Sequence, residues 1–163
     1  MSNKAVFLDR DGVINKKAGE HDYIKSPDQF VILPGVVEGL RILKEKGYLL
    51  IVVTNQAGIA RGKMSLEDLE RVHEKMEKEL LNGGVILDKI YFCPHGYDDN
   101  CNCRKPAPGM IENAVKDFDI DLKESILIGD SSTDMETAHN AGVAGFLVES
   151  NSNFLKNLKT KIW

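Results

Sequence analysis

Near the N-terminus the sequence reads Ala5-Val6-Phe7-Leu8-Asp9-Arg10-Asp11-Gly12, an apolar run that ends in two acidic residues and a glycine. Four consecutive apolar residues are typical of a short strand that is buried on both faces of a sheet. The two aspartates follow the point where the strand ends, and Gly12 gives the backbone the freedom that a turn needs. Because ligands bind beyond the carboxyl ends of parallel strands, this stretch predicts a strand with a polar site at its end.

Strand-like and helix-like segments alternate along the rest of the chain. Apolar runs predict strands over residues 5–8, 48–53, 90–92, 125–128 and 145–148. Helical spacing predicts helices over residues 36–46, 65–81, 108–118 and 133–141, and a closing helix in the tail that ends at Trp163. This alternation predicts an α/β fold, a doubly wound (Rossmann-like) parallel sheet of about five strands with right-handed crossovers and helices on both faces. No linker or internal repeat interrupts the pattern, so we expect one domain over residues 1–163.

Length and composition restrict the classes of function. The chain has 163 residues, of which 42% are hydrophobic and 28% charged, enough for a core that does not depend on disulfides or metals. The formal net charge of −4 is spread along the chain, and no basic stripe indicates nucleic-acid binding. No stretch approaches the roughly 20 apolar residues of a membrane helix, and no signal-peptide core follows the N-terminus. We therefore expect a cytoplasmic monomer that binds neither nucleic acid nor membrane.

Four polar segments follow predicted strands, and the carboxyl ends of those strands should share one edge of the sheet. The segments are Asp9 to Asp11, Thr54 to Gln56, Cys93 to Pro106, and Gly129 with Asp130. Taken singly, each is more often a turn, a helix cap or an exposed polar group than a site. Four such segments behind strands of the same sheet indicate instead one common site.

The two aspartates after the first strand suit phosphoryl transfer. Phosphate-monoester hydrolysis is very slow in water, so a site needs a nucleophile, an acid for the leaving group and fixed positive charge. Asp9 can attack phosphorus and form a phospho-aspartyl intermediate, while Asp11 protonates the departing oxygen and later activates water. Mg²⁺ prefers hard oxygen ligands, which the side chains of Asp9 and Asp130 and the backbone carbonyl of Asp11 can supply. Asp134, one helical turn after Asp130, can hold a metal-bound water or brace Asp130.

Two further residues can bind the phosphate. Thr54 ends the second strand, where its hydroxyl and the neighbouring amides can donate to a phosphate oxygen. Lys105 is a mobile point charge that can bridge the phosphate and the nucleophile. Among the other polar residues, His73 and His139 lie on predicted helices, and we expect both at the surface.

All three cysteines lie in the segment Cys93-Pro94-His95-Gly96-Tyr97-Asp98-Asp99-Asn100-Cys101-Asn102-Cys103. Cys93, His95, Cys101 and Cys103 form the Cys₃His set that tetrahedral zinc favours in structural sites. A disulfide and unligated thiols are the alternatives, although a reducing cytoplasm disfavours a disulfide. A zinc ion with four protein ligands has no open position, so we expect a structural zinc that orders the loop carrying Arg104 and Lys105.

Four stretches together resemble the motifs of haloacid dehalogenase-type phosphatases. They are Phe7-Leu8-Asp9-Arg10-Asp11-Gly12-Val13-Ile14-Asn15, Val53-Thr54-Asn55-Gln56, Arg104-Lys105-Pro106 and Gly129-Asp130-Ser131-Ser132-Thr133-Asp134. The resemblance spans nearly the whole chain and implies the roles given above: nucleophile Asp9, acid/base Asp11, phosphate-binding Thr54 and Lys105, and magnesium ligands Asp9, Asp11 and Asp130. Many members carry a mobile cap domain. No gap between the motifs is long enough for one, so we expect no cap domain here.

Within that family the chain resembles the branch that contains D-glycero-D-manno-heptose 1,7-bisphosphate 7-phosphatase and histidinol-phosphate phosphatase. The Asp-Arg-Asp-Gly-x-Ile-Asn opening and the cysteine segment before Arg104 are characteristic of this branch, which carries a zinc-bound loop. The stretch Thr54-Asn55-Gln56-Ala57-Gly58-Ile59-Ala60-Arg61-Gly62 is similar to the heptose enzymes. The resemblance implies that Asn55, Gln56 and Arg104 contact the substrate. We expect Tyr23, in a loop over residues 16–23, as a further contact.

The resemblance implies removal of the 7-phosphate of a heptose bisphosphate, a small phosphorylated sugar, in the biosynthesis of nucleotide-activated heptose for lipopolysaccharide or capsule. Histidinol phosphate is the alternative substrate. An alternative of another class is a phospho-accepting receiver domain, which is also doubly wound and is also phosphorylated on an aspartate. The acceptor aspartate of a receiver domain normally follows a later strand, whereas Asp9 follows the first strand here. Receiver domains also have no counterpart of the cysteine segment.

Overall fold

Five parallel strands form one twisted sheet in the computed structural model, which describes residues 2–163. The strands are β1 (Lys4–Leu8), β2 (Tyr48–Asn55), β3 (Lys89–Cys93), β4 (Ile126–Gly129) and β5 (Ala144–Leu147). Their order in the sheet is β3-β2-β1-β4-β5, and every neighbouring pair is parallel. The predicted α/β fold with a doubly wound sheet of about five strands is therefore confirmed.

Helices connect the strands as the sequence predicts. They are α1 (Val36–Glu45), α2 (Leu66–Asn82), α3 (Gly109–Phe118), α4 (Ser132–Ala141) and α5 (Phe154–Asn157), and α5 continues into a π-helical turn over Leu158–Ile162. Short 3-10 turns lie at Pro27–Gln29 and Leu122–Glu124. Helix α2 begins with a capping box, because Ser65 accepts from the amide of Asp68 while the Asp68 carboxylate accepts from the amide of Ser65. No helix in residues 2–163 is long and apolar enough to cross a membrane.

The core has two layers, one on each face of the sheet. Alternate residues of β1 point to opposite faces, as in any strand. Val6 and Leu8 belong to the layer formed with α1, α2 and α5. Ala5 and Phe7 belong to the layer formed with α3 and α4. Because both faces of β1 are covered, its sequence is a continuous apolar run and not an alternating one.

The order of the strands places the predicted polar segments at one edge. From β1 the chain proceeds to β2 and β3 on one side of the sheet, and later to β4 and β5 on the other side. Strands β1 and β4 are paired up to Leu8 and Ile128, and the amide of Asp9 continues this pairing by donating to the carbonyl of Ile128 at 3.1 Å. Asp9 and Asp130 thus follow the two strands between which the winding reverses, the place where open α/β sheets bind ligands.

Candidate active site

Asp9 and Lys105 form an ion pair at the end of β1. The ammonium of Lys105 lies 3.0 Å from Oδ1 of Asp9, and the exposed fractions of the two side chains are 4% and 13%. Burial raises the pKa of Asp9 well above its usual value, and the carboxylates of Asp134, Asp130 and Asp11 add to this, whereas Lys105 opposes it. The positive charge of Lys105 is therefore what favours the ionised form of Asp9 in this structure.

Lys105 is fixed by contacts to both its ammonium and its backbone. Its ammonium also donates to Oδ1 of Asp134 at 2.7 Å and to the carbonyl of Val53 at 3.1 Å. Although burial disfavours the charged form, the carboxylates of Asp9 and Asp134 raise the pKa of Lys105 above its usual value. The side chain of Asn55 accepts from the amide of Lys105 at 2.9 Å and donates to its carbonyl at 3.2 Å. Strand β2 thus holds the lysine backbone directly.

Asp130 and Asp134 have different surroundings. Oδ2 of Asp134 accepts from the amide of Asp130 at 3.1 Å and from the hydroxyl of Ser131 at 3.0 Å, while its Oδ1 is paired with Lys105. Asp134 therefore braces the Asp130 backbone and the lysine. Oδ2 of Asp130 accepts from Ser150 at 2.6 Å and lies 3.3 Å from the ammonium of Lys17.

Three of these carboxylates are close enough together to bind one metal ion. Asp9, Asp130 and Asp134 each offer an oxygen, and the three oxygens lie within 4.8 Å of one another. Carboxylate oxygens are the hard ligands that Mg²⁺ prefers. Because both oxygens of Asp134 are already engaged, Asp9 and Asp130 are the better candidates for direct ligands. The carboxylate of Asp11 is not in this group, and the magnesium-binding role of its backbone carbonyl stays a prediction.

The carboxylate of Asp11 is held by a separate set of donors. Its Oδ1 accepts from Nε and Nη2 of Arg10, at 3.2 and 2.8 Å, and from Asn15 at 2.9 Å. Within residues 2–163, its Oδ2 accepts only from the side-chain amide of Gln56, at 3.2 Å. Although burial raises the pKa of Asp11, the Arg10 charge and the hydrogen bonds from Asn15, Arg10 and Gln56 keep it below its usual value.

Most of the predicted phosphate and substrate residues line a cavity of about 730 Å³. Asp9, Asp11, Thr54, Asn55, Arg104, Lys105 and Asp130 line it. A second cavity, of about 510 Å³, adjoins it and is lined by the loop that includes Tyr23, sharing Asp11, Lys17 and Asn55 with the first. Gln56 lines neither cavity. Its side chain is buried and donates to Asp11 and to the hydroxyl of Thr54 at 3.0 Å, so it supports residues of the site from behind.

Arg104 lies at the rim of the cavity. Its guanidinium lies 4.0 Å from the centre of the Tyr97 ring, and the guanidinium of Arg61 lies 4.8 Å from the same ring. Nη1 of Arg104 also lies 3.4 Å from the carbonyl of His95. The cysteine segment therefore supports the arginine both through a ring contact and through its backbone.

The cysteine segment brings its four predicted zinc ligands together. Cys93, His95, Cys101 and Cys103 each offer one ligand atom, and all four atoms lie within 4.8 Å of one another. The sulfur of Cys93 lies 2.9 Å from that of Cys103 and 3.5 Å from that of Cys101, and Nδ1 of His95 lies 3.2 Å from Cys103. The three cysteines are free, so the disulfide alternative is not observed. Three thiols and an imidazole with this spacing fit the tetrahedral donor set of a structural zinc site.

Two residues behind the site were not identified from the sequence. Arg10 is fully buried, although arginine is a residue usually found at the surface. His73 was expected at the surface, and this is wrong: only 7% of it is exposed, and its Nε2 lies 3.1 Å from Nη1 of Arg10. The signal was present in α2, because His73 lies on the same stripe as the buried residues Leu69, Val72 and Met76.

Comparisons with known proteins identify the family. The D-glycero-beta-D-manno-heptose-1,7-bisphosphate 7-phosphatase of Bordetella bronchiseptica is 40% identical over 147 residues, 90% of this chain and 81% of that protein. The protein of the same name from Haemophilus ducreyi is 45% identical over 150 residues, 88% of this chain and 81% of that protein. The chain belongs to the haloacid dehalogenase-type phosphatases. A family model described as HAD-hyrolase-like also matches residues 102–161.

Solved structures of this phosphatase family share the fold. The D,D-heptose 1,7-bisphosphate phosphatase of B. bronchiseptica, crystallised with magnesium and phosphate, superposes with a TM-score of 0.85 at 38% identity, covering 94% of this chain and 84% of that one. A putative HAD-like phosphatase from Mesorhizobium loti superposes with a TM-score of 0.82 at 34% identity, covering 90% and 72%. These two structures confirm that the sheet and its crossovers are those of HAD phosphatases.

Proposed function

We propose that this HAD phosphatase removes the 7-phosphate of D-glycero-β-D-manno-heptose 1,7-bisphosphate, in the biosynthesis of nucleotide-activated heptose. The observation that carries the proposal is the match over about nine-tenths of the chain to phosphatases that bear the name of this activity. Their names specify the β anomer, which the motifs alone do not distinguish. The two adjoining cavities offer room for a sugar with a phosphate at each end.

In the first step the carboxylate of Asp9 attacks phosphorus. The bond between phosphorus and the sugar oxygen breaks, and Asp11 gives that oxygen a proton, so that the products are an alcohol and a phospho-aspartyl group. Although Arg10 favours the ionised form of Asp11, an anionic phosphoryl group nearby raises its proton affinity. Lys105 holds positive charge beside the phosphoryl oxygens, where charge is redistributed.

In the second step water attacks the phospho-aspartyl group. Asp11 takes a proton from that water, the bond between Asp9 and phosphorus breaks, and inorganic phosphate leaves. Asp9 and Asp130, with the backbone carbonyl of Asp11, would hold the magnesium ion, which supplies positive charge to the phosphoryl oxygens when bound. Thr54 lines the same cavity and is placed to donate to a phosphoryl oxygen.

Substrate recognition is assigned to residues around the two cavities. Arg104 is suited to the distal phosphate because its planar guanidinium can bind two phosphate oxygens at once. Asn55 and Tyr23 line the second cavity and would contact the sugar. Gln56 acts on the substrate through Asp11 and Thr54 and not by contact. Zinc at the cysteine segment would be structural and would hold Arg104 and Lys105 in position.

The experiment is phosphate release by the purified protein with Mg²⁺ from three substrates: the β and α anomers of heptose 1,7-bisphosphate, and histidinol phosphate. We expect the highest kcat/KM for the β anomer, and no release by the Asp9→Asn variant. A higher kcat/KM for histidinol phosphate would show that the proposed substrate is wrong while leaving the proposed chemistry intact.

The monomeric state and the cytoplasmic location stay predictions. Size-exclusion chromatography with light scattering tests the monomeric state.

A further inference from the structure

Arg10 and His73 form a buried pair that the reaction scheme above does not use. Arg10 is fully buried behind the end of β1, and three of its N–H groups have protein partners. Nε and Nη2 donate to one oxygen of Asp11, and Nη1 lies 3.1 Å from Nε2 of His73 on α2. A fully buried charged side chain is costly unless its groups are paired, and each of the three guanidinium nitrogens has such a partner.

The arginine determines the state of the histidine. Guanidinium groups only donate hydrogen bonds, so Nε2 of His73 must accept from Nη1. The imidazole is therefore neutral, with its proton on Nδ1. Burial, together with the Arg10 charge, lowers the pKa of His73 to about 3, which agrees with a neutral ring. A neutral histidine leaves the full positive charge of Arg10 directed at Asp11.

The two oxygens of Asp11 are consequently not equivalent. Oδ1 accepts three hydrogen bonds, two from Arg10 and one from Asn15, so both of its lone-pair sites are occupied. Among the described residues Oδ2 accepts one hydrogen bond, from Gln56 at 3.2 Å, which is as long as the longest of the three at Oδ1. Oδ2 thus keeps free acceptor capacity, whereas a proton on Oδ1 would face donors from two side chains.

We propose that Arg10 and His73 are positioning residues that hold the Asp11 carboxylate by Oδ1, so that Oδ2 is the oxygen that exchanges a proton with the leaving group. The proposal rests on the acid role of Asp11 in the proposed function. His73 acts indirectly, through Arg10. It orients the guanidinium by accepting a hydrogen bond from Nη1, and the guanidinium fixes the rotamer of Asp11. Neither residue lines either of the two cavities, so both are placed behind the substrate and not against it.

The test compares two phosphate monoesters that differ in their need for an acid. An alkyl phosphate has a poor leaving group, an alkoxide, which needs a proton from Asp11. An aryl phosphate such as p-nitrophenyl phosphate has a good leaving group, p-nitrophenolate, which departs without a proton. Acid catalysis contributes about 10²- to 10⁴-fold, so we expect kcat/KM for the alkyl ester to fall at least about 10-fold more than for the aryl ester in Arg10→Met. His73→Leu should show the same selective loss, and His73→Gln, which retains an acceptor, should restore most of it.

The control is Asp11→Asn. An equal loss on both esters in Asp11→Asn would show that Asp11 is not the acid, and the proposed chemistry would fail. A selective loss in Asp11→Asn, combined with equal losses on both esters in Arg10→Met and His73→Leu, would overturn the positioning proposal alone. Where a variant does not fold, ¹⁵N NMR of the wild-type histidines decides, because the proposal requires a neutral His73 with its proton on Nδ1 at neutral pH. A charged ring, or a proton on Nε2, contradicts it.

Discussion

At the scale of the residue, Lys105 combines two tasks in one ammonium group. It donates to Asp9, to Asp134 and to the carbonyl of Val53, so all of its N–H groups have partners within the protein. Two carboxylates share this one positive charge, and both would lose their cationic partner if it were removed. The residue assigned to the phosphoryl group therefore also holds the two carboxylates in place.

Replacement of Lys105 by methionine should affect both activity and stability. We expect kcat to fall at least about 100-fold, because a preorganised positive charge is lost from the transition state. The free energy of unfolding should fall by about 3–5 kcal/mol, since two buried carboxylates lose their partner. Phosphate release and urea denaturation measure the two effects. The control is Lys78→Met, on the exposed face of α2, which should change neither. Unchanged stability in Lys105→Met would contradict this account of the ion pair.

His73 should make the stability of the protein depend on pH. Burial and Arg10 lower its pKa in the folded protein from the ordinary 6.5 to about 3, so as pH falls His73 is protonated in the unfolded chain before it is protonated in the folded protein. The contribution of neutral His73 to the free energy of unfolding is complete above pH 6.5 and is lost as pH falls toward 3. The loss can reach about 1.4 kcal/mol for each pH unit within that range. Between pH 7 and pH 5, the free energy of unfolding should fall by about 2 kcal/mol more in the wild type than in His73→Gln. Parallel curves for the two proteins would rule out a neutral, buried His73.

The sequence predicts well which residues lie at the edge of the sheet. It predicts less well the direction in which their side chains point. Asp9, Thr54 and Asp130 each follow an apolar strand, and parallel strands end at a common edge, so their meeting follows from topology. The side chain of Gln56 turns inward to Asp11 and Thr54, away from both cavities. That direction depends on the backbone just beyond the end of the strand, where the alternation of side chains no longer applies.

At the scale of the element, the cysteine segment connects the end of β3 to the residues that meet the phosphate. Cys93 is the last residue of β3, and Cys103 directly precedes Arg104. Helix α3 begins against the same segment, because the amide of Gly109 donates to the carbonyl of Asn102 at 2.8 Å, and a Cβ at Gly109 would collide with that carbonyl. A bound zinc would therefore fix the position of the segment from within, while α3 fixes it from outside.

Loss of one zinc ligand should loosen this segment without removing the magnesium ligands. In Cys101→Ser we expect reduced zinc content by mass spectrometry of the native protein. Thermal unfolding should occur at least about 5 °C lower, since metal binding contributes to folding free energy. Phosphate release should fall as Arg104 and Lys105 lose their fixed position. The matched control is Asn102→Ser, an exposed residue of the same segment. Full activity in wild-type protein that contains no zinc would refute a zinc requirement.

At the scale of the whole molecule, the fold could be predicted because two periodicities alternate throughout the chain. Continuous apolar runs mark strands covered on both faces, and helical spacing marks the crossovers, so the doubly wound architecture follows. The order of the strands was not predicted, because the general handedness of crossovers does not by itself determine which strands are neighbours. The prediction was less successful for buried polar residues such as Arg10 and His73, because their burial requires partners that are 63 positions apart in the sequence.

The C-terminal segment closes one layer of the core. The ring of Phe154 is 2% exposed and lies directly on Gly39 of α1, where a Cβ would collide with it. We expect Phe154→Ala to lower the free energy of unfolding by about 3–5 kcal/mol, measured in urea, through the cavity that it leaves. Leu81→Ala, at a position that is 57% exposed, is the control and should cost far less. Because Phe154 lines neither of the two cavities, kcat/KM of the folded fraction should stay unchanged.

The hydrogen bonds between Asn55 and the backbone of Lys105 have a consequence for how such an enzyme can diversify. Both backbone groups of the lysine are held by a side chain of β2, although the lysine belongs to a long loop. Residues 96–100, which lie between the predicted zinc ligands His95 and Cys101, can then change in length or composition, and with them the alcohol that the enzyme accepts, while the ammonium stays where it is. An architecture of this kind separates the part of a protein that selects a substrate from the part that transforms it, so that new specificities can arise without rebuilding the reaction.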